Sequence, residues 1–117
     1  MFSESMEVTF DHLGELLLIA ISGRLDTNTA PQFDAQAARQ LAHPNPRILI
    51  DLSAVTYISS AGLRSILQLV KHTAAHGGRL GLYGAPSHIV EVIEISGFPA
   101  LLDLYPDRES AIAQRPA

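Results

Sequence analysis

Two apolar runs of strand length constrain the fold of this chain more than any other feature. Leu16–Ile21 ("LLLIAI") is continuously apolar, and Arg47–Leu52 ("RILIDL") is a second, largely apolar run. Such runs are typical of strands that are buried on both faces, as in a parallel sheet. Between them, residues 30–41 carry a helical pattern with Phe33 and Ala37 on one face. This alternation of strand and helix predicts an α/β fold with a mostly parallel sheet.

The rest of the chain continues the alternation. A second helix is expected to start near Ala61 and to end before Gly77, because Leu63, Ile66 and Val70 recur at the spacing of one helical face. The other predicted elements are a strand Met6–Phe10, a turn His12–Gly14, a strand Arg79–Tyr83, a helix from Pro86 to Gly97 with Ile89, Val92 and Ile93 facing inward, a strand Leu101–Tyr105 and a helix Arg108–Gln114.

The first helix has a recognisable start. Thr29 and Gln32 have the spacing of a capping box, and Pro31 suits a first helical turn. Thr29 is therefore expected to cap this helix. Together with Thr27 and Asn28, it forms a polar loop after the first buried strand.

Length and composition indicate one domain over residues 1–117, with a core over about residues 6–113. The formal net charge is −4 and Lys71 is the only lysine, so the concentrated positive charge of a nucleic-acid-binding surface is missing. The chain has no cysteine and its first residues show no signal-peptide pattern. The run "LLLIAI" is too short to span a bilayer. We therefore expect a cytoplasmic protein without nucleic-acid or membrane contacts.

Common catalytic and metal-binding patterns are missing from the sequence. There is no P-loop, no dinucleotide-binding motif and no G-x-S-x-G motif. His72 and His76 stand one helical turn apart, but no acidic residue beside them completes a metal site. Asp51 resembles the phospho-acceptor of a receiver domain, yet the acidic pair and the lysine of such a domain are missing, so Asp51 is expected to order the loop after its strand. These motifs therefore indicate no metal site and no cofactor.

Two adjacent serines, Ser59 and Ser60, stand between a strand and a helix. A serine at this position commonly caps the helix by accepting a hydrogen bond from a free backbone N–H, which stabilises it by about 1 kcal/mol. The same position also suits a phosphoserine, because a helix N-terminus favours negative charge. The residues alone favour the cap and leave the phosphorylation switch open.

Three stretches of sequence, taken together, carry a resemblance to a known family. They are "GRLDTNTAPQF" (Gly23–Phe33), "ILIDLSAVTYISSAGLRSIL" (Ile48–Leu67) and "GGRLGLYGAPSHIVEVIEISGF" (Gly77–Phe98), and they span nearly the whole chain. They resemble the STAS domain, in particular the free-standing bacterial anti-sigma factor antagonists. The resemblance implies a mixed, mostly parallel sheet of four to five strands, with helices mainly on one face and the first strand at an edge.

The resemblance also implies a function. Such a protein is not an enzyme: when unphosphorylated, it binds an anti-sigma factor that is also a serine kinase, and a sigma factor is released. The kinase then phosphorylates a serine at the start of the second helix, the complex dissociates, and a serine phosphatase reverses the change. The implied acceptor is Ser60, and the implied partner-binding residues are Asp26, Thr27, Asn28, Thr29, Ser59, Ser60, Ala61, Gly62, Leu63 and Arg64.

One position departs from the family's pattern. Many members carry an acidic residue directly before the acceptor, where this chain has Ser59. The change makes the local field less negative and makes Ser59 a second candidate acceptor. Arg64 would point outward one turn beyond Ser60 and could pair with a partner's carboxylate or with a phosphate on Ser60.

Two other functions are compatible with the same residues. The domain could be a constitutive subunit of a larger transport or stress-signalling complex, without control by phosphate. It could also be a small hydrolase with Ser60 as nucleophile, although no histidine stands in a sequence context that supports the necessary base.

Overall fold

A computed structural model describes residues 5–41, 47–97 and 102–113. In chain order the elements are β1 (Met6–Leu13), β2 (Leu16–Leu25), α1 (Ala30–Gln40), β3 (Arg47–Ile58), α2 (Ser60–Ala75), β4 (Arg79–Tyr83), α3 (Ser87–Ser96), β5 (Asp103–Tyr105) and α4 (Arg108–Ala113). The strands form one sheet in the order β1-β2-β3-β4-β5. β1 pairs with β2 in antiparallel fashion, and every other neighbouring pair is parallel.

The main hydrophobic core lies between one face of the sheet and the first three helices. Phe33 of α1, Ile66 of α2 and Ile89 of α3 are fully buried there against sheet residues such as Ile19 and Ile50. The apolar stripe predicted for α2 does face this core, which holds α2 across the sheet.

A smaller cluster lies on the other face of the sheet. Leu16, Leu18, Leu49 and Tyr83 pack there with Ala111 of α4. Among the described elements, three helices therefore lie on one face and one short helix on the other. The predicted fold is confirmed, including the mixed sheet and the edge position of the first strand.

The two central strands are longer than the sequence predicts. β2 continues through Gly23 to Leu25 and β3 continues to Ile58, because the two strands stay paired there with irregular register. Asp51 consequently lies inside β3, where its Oδ1 accepts hydrogen bonds from the N–H and the hydroxyl of Ser53 at 2.9 and 2.7 Å. The expectation that Asp51 orders a loop after its strand is wrong, because the strand continues to Ile58.

Smaller differences occur at other element ends. The β1 strand extends to Leu13, so the hairpin turn is formed by Gly14 and Glu15. Helix α1 ends one residue earlier than predicted, at Gln40. The predicted ends at Leu101 and Gln114 lie outside the described residues.

Candidate functional site

The carboxyl ends of β2 and β3 lie side by side, and the predicted site residues follow them. In the parallel register Arg24 lies opposite Tyr57, and Leu25 lies opposite Ile58. The loop after β2 leads into α1, and the residue after β3 leads into α2. Since the carboxyl ends of parallel strands meet at one edge of a sheet, the loop of residues 26–29 and the start of α2 share that edge.

Ser59 is the N-cap residue of α2. Its backbone is extended, with φ −101° and ψ 177°, and its hydroxyl oxygen accepts a hydrogen bond from the Gly62 N–H at 3.3 Å. Its own N–H donates to the Leu25 carbonyl at 3.0 Å, which ties the start of α2 to the end of β2. Serine and aspartate are both good N-cap residues, so Ser59 keeps a cap at this position without a negative charge.

Ser60 is the first residue of α2 and is exposed. Its hydroxyl makes no hydrogen bond with the described residues. The first turn of α2 contains no acidic residue, and Arg64, one turn further along, is exposed as predicted. The predicted cap at this junction is therefore Ser59, and the hydroxyl of Ser60 is free.

Gly62 allows α2 to pack directly on the end of β2. A Cβ atom at this position would collide with the Leu25 carbonyl oxygen, and it would lie 2.9 Å from the Leu25 Cγ and 3.0 Å from the Ile58 Cγ1. The backbone that approaches Gly62 so closely is the chain's own β2. Only glycine permits this contact.

The Asp26 carboxylate organises the loop between β2 and α1. Its Oδ1 accepts hydrogen bonds from the N–H groups of Asn28 and Thr29 at 3.0 and 3.1 Å. Its Oδ2 accepts one from the Arg24 Nε at 3.2 Å. Burial alone would raise the pKa of Asp26, but the hydrogen bonds from Thr29, Arg24 and Asn28 outweigh it and hold the pKa below its ordinary value. The carboxylate is therefore ionised and bonded within its own loop.

Thr29 does not cap α1 in the predicted way. It directly precedes the helix, but its backbone has φ −103° and ψ −19°, and its side chain makes no capping hydrogen bond. Its hydroxyl instead accepts from the Asp26 N–H at 2.9 Å and donates to the Arg24 carbonyl at 2.7 Å. The predicted capping box with Gln32 is wrong, because the side chain of Thr29 is used to close the loop before the helix.

Three residues at this edge were not predicted from the sequence, namely Arg24, Tyr57 and His88. The guanidinium carbon of Arg24 lies 4.2 Å from the centre of the Tyr57 ring, and Tyr57 is 42% exposed. The Nε2 of His88 in α3 donates to the Thr56 carbonyl of β3 at 3.0 Å. These contacts depend on strand register and helix packing, which the sequence does not show. The only signal in the sequence was an aromatic residue, Tyr57, two positions before Ser59.

The family model of the STAS domain matches residues 7–111, which include every site residue described above. The chain belongs to the STAS domain family. A relative from Bordetella bronchiseptica, named "Putative anti-sigma factor antagonist BtrV", is 35% identical to this STAS domain over 108 residues, which are 92% of this chain and 93% of the relative. The family predicted from the sequence is thereby confirmed.

Solved structures agree with the fold of this STAS domain. The crystal structure of an anti-sigma factor antagonist from Mycobacterium paratuberculosis has a TM-score of 0.84 at 24% identity, covering 93% of this chain and 92% of that chain. The Bacillus cell fate determinant SpoIIAA in its phosphorylated form has a TM-score of 0.70 at 19% identity, covering 91% of this chain and 96% of that chain. At these identities the likeness shows a shared fold.

The described parts of the STAS domain contain no group of three or more His, Cys, Asp or Glu side chains that could hold a metal ion. The rings of His72 and His76 lie 4.4 Å apart, and burial, followed by the effect of His76, lowers the pKa of His72. Across the described ranges, no helix has the length and apolar character that a membrane crossing requires.

Proposed function

We propose that this chain is an anti-sigma factor antagonist that binds a serine-kinase anti-sigma factor while Ser60 is unphosphorylated, so that a sigma factor is released. The observation that carries the proposal is the free, exposed hydroxyl of Ser60 at the start of α2, next to a Ser59 that is already used as the cap. The name of the Bordetella relative and the phosphorylated state of the Bacillus protein support it.

Phosphorylation at Ser60 would change the docking surface more than the fold. A phosphoserine carries about −1.5 to −2 charges and three strong acceptor oxygens. The N-terminus of α2 favours such a group, and no acidic side chain in its first turn opposes it. The phosphate therefore weakens binding of a partner that docks over the helix start, because binding would have to desolvate the charged group.

The proposed partner-binding surface combines exposed residues with residues that position them. The exposed ones are Thr27, Asn28, Ser60 and Arg64. The residues that position them form hydrogen bonds or pack within the loop and the helix start. They are Asp26, Thr29, Ser59, Ala61, Gly62 and Leu63.

The proposed cycle uses ATP, the kinase and a phosphatase. The kinase transfers the terminal phosphoryl group of ATP to the Ser60 Oγ, a base of the kinase takes the hydroxyl proton, and ADP leaves. A serine phosphatase adds water to the phosphoserine, releases inorganic phosphate and restores the hydroxyl. In this cycle, which takes place in the cytoplasm, the STAS domain binds and is modified but catalyses nothing. Ser59 is the secondary candidate acceptor.

The test is capture of partners from a lysate of the source cells. Wild-type protein, Ser60→Glu and Gln68→Glu are immobilised, and captured proteins are identified by mass spectrometry. Gln68 is exposed two turns further along α2, so its variant adds the same charge away from the helix start. We expect wild type and Gln68→Glu to retain an anti-sigma kinase and Ser60→Glu to lose it. Equal retention of a different complex by all three would instead indicate a constitutive subunit.

A further inference from the structure

We infer that Tyr57 is an anchor residue through which this domain binds its kinase partner, and that Arg24 and Asp26 hold its ring in place. The inference rests on the function proposed above and adds a binding determinant that lies outside the phosphorylated helix. We call Tyr57, Arg24 and Asp26 the tyrosine platform. Its residues come from the paired ends of β2 and β3 and from the loop that follows β2.

The exposure of Tyr57 is the first observation. Its neighbours Val55 and Ile58 in β3 are buried, whereas Tyr57 is 42% exposed. Tyr57 precedes Ser60 by three residues, a span of at most about 10–11 Å of chain. Tyr57 therefore lies within reach of a partner that docks over Ser60.

The ring is held by a series of contacts, and this is the second observation. The Arg24 guanidinium carbon lies 4.2 Å from the ring centre of Tyr57. The Arg24 Nε donates to the Asp26 Oδ2 at 3.2 Å. The other carboxylate oxygen of Asp26 accepts from Asn28 and Thr29 in the loop. The ring is thus positioned before binding, which lowers the entropy lost when a partner immobilises it.

The surroundings of the ring indicate the chemistry of the partner's surface. The charge of Arg24 is matched by Asp26, and the exposed residues Thr27, Asn28 and Ser60 at the same edge of the sheet are polar and uncharged. Interface hot spots are enriched in tyrosine and arginine, and the rim around them is polar. The platform therefore suits a shallow apolar pocket on the kinase, lined at its edge by hydrogen-bonding groups.

The experiment measures binding of the kinase captured by wild-type protein to a set of variants. Tyr57→Ala removes the ring, and Tyr57→Thr removes it while keeping a residue that favours strands. Tyr57→Phe keeps the ring without the hydroxyl. Leu13→Ala is the control, since Leu13 is also exposed but lies at the turn between β1 and β2.

We expect Tyr57→Ala and Tyr57→Thr to weaken Kd by about 30-fold or more, as for a hot-spot residue. Tyr57→Phe and Leu13→Ala should stay within about threefold of wild type. Arg24→Gln should weaken Kd by about 2- to 5-fold, because the ring stays but loses its support. Thermal melting of each variant shows whether it is folded.

Three outcomes would overturn the inference, and one of them also bears on the proposed function. If Tyr57→Ala and Tyr57→Thr bind like wild type while Ser60→Glu does not bind, the platform is wrong and the proposed function stands. If Tyr57→Phe binds the kinase as weakly as Tyr57→Ala does, the hydroxyl is the binding group and the ring is not an apolar anchor. If wild-type protein captures no anti-sigma kinase, the proposed function fails and the inference fails with it.

Discussion

Two neighbouring serines perform different tasks at the start of α2 because the backbone changes conformation between them. Ser59 is extended, and its hydroxyl reaches the Gly62 N–H; Ser60 is already helical and projects its hydroxyl into solvent. The residues alone predicted a cap at this junction and left a phosphorylation switch open. They could not decide the cap's position, because the helix was expected to start near Ala61 and either serine could then precede it.

Because only the Ser59 hydroxyl is bonded, substituting the two serines by alanine should have unequal effects on stability. Ser59→Ala removes the oxygen that accepts the Gly62 N–H and should lower the free energy of unfolding by about 1 kcal/mol. Ser60→Ala removes an unbonded, exposed hydroxyl and should change it by less than about 0.5 kcal/mol. Urea denaturation followed by circular dichroism measures both values. A larger loss for Ser60→Ala than for Ser59→Ala would show that the cap has been assigned to the wrong residue.

At the scale of elements, the position of α2 depends on its contact with the end of β2. The Ser59 N–H donates to the Leu25 carbonyl, and Gly62 packs against the same carbonyl oxygen. A displaced α2 would therefore move Ser60 relative to the loop of residues 26–29, which follows Leu25 directly. Gly62 thus acts within the chain, through the packing of α2 on β2.

This packing predicts that Gly62→Ala lowers the free energy of unfolding, whereas the same substitution in an open helix raises it. In an open helix, glycine to alanine is stabilising by about 0.8–1.0 kcal/mol. Here the added Cβ would collide with the Leu25 carbonyl, so we expect destabilisation by about 1–3 kcal/mol, as for an overpacked core. Gln68→Ala, at an exposed position of the same helix, is the control and should change stability by less than about 0.5 kcal/mol. A stabilised Gly62→Ala protein would contradict the close packing of α2 on β2.

At the scale of the whole molecule, much of the fold could be predicted because burial leaves a pattern in the sequence. The apolar runs of β2 and β3 and the helical spacing in α2 reflect positions that face the core. The end of β3 was missed because Ser53, Thr56 and Tyr57 are exposed there and break the apolar pattern. The end of β2 was missed because Ser22, Gly23 and Arg24 break its pattern in the same way, while pairing between the two strands continues.

The candidate site was predictable only where it is local in sequence. Ser59, Ser60 and Asp26 belong to short motifs and were found. The stacking of Arg24 on Tyr57 was not found, because it depends on a register that places distant parts of the chain opposite each other. The hydrogen bond from His88 to Thr56 was missed for the same reason, since it joins α3 to β3.

The most direct test of the central claim is to map the phosphate on the protein after incubation with its captured kinase and ATP. Intact-mass and fragment spectra of wild type, Ser59→Ala and Ser60→Ala locate the modified residue. We predict one phosphate on Ser60 in wild type and in Ser59→Ala, and none in Ser60→Ala. A phosphate on Ser59 with Ser60 unmodified, or continued phosphorylation of Ser60→Ala, would contradict the assignment of Ser60 as the switch.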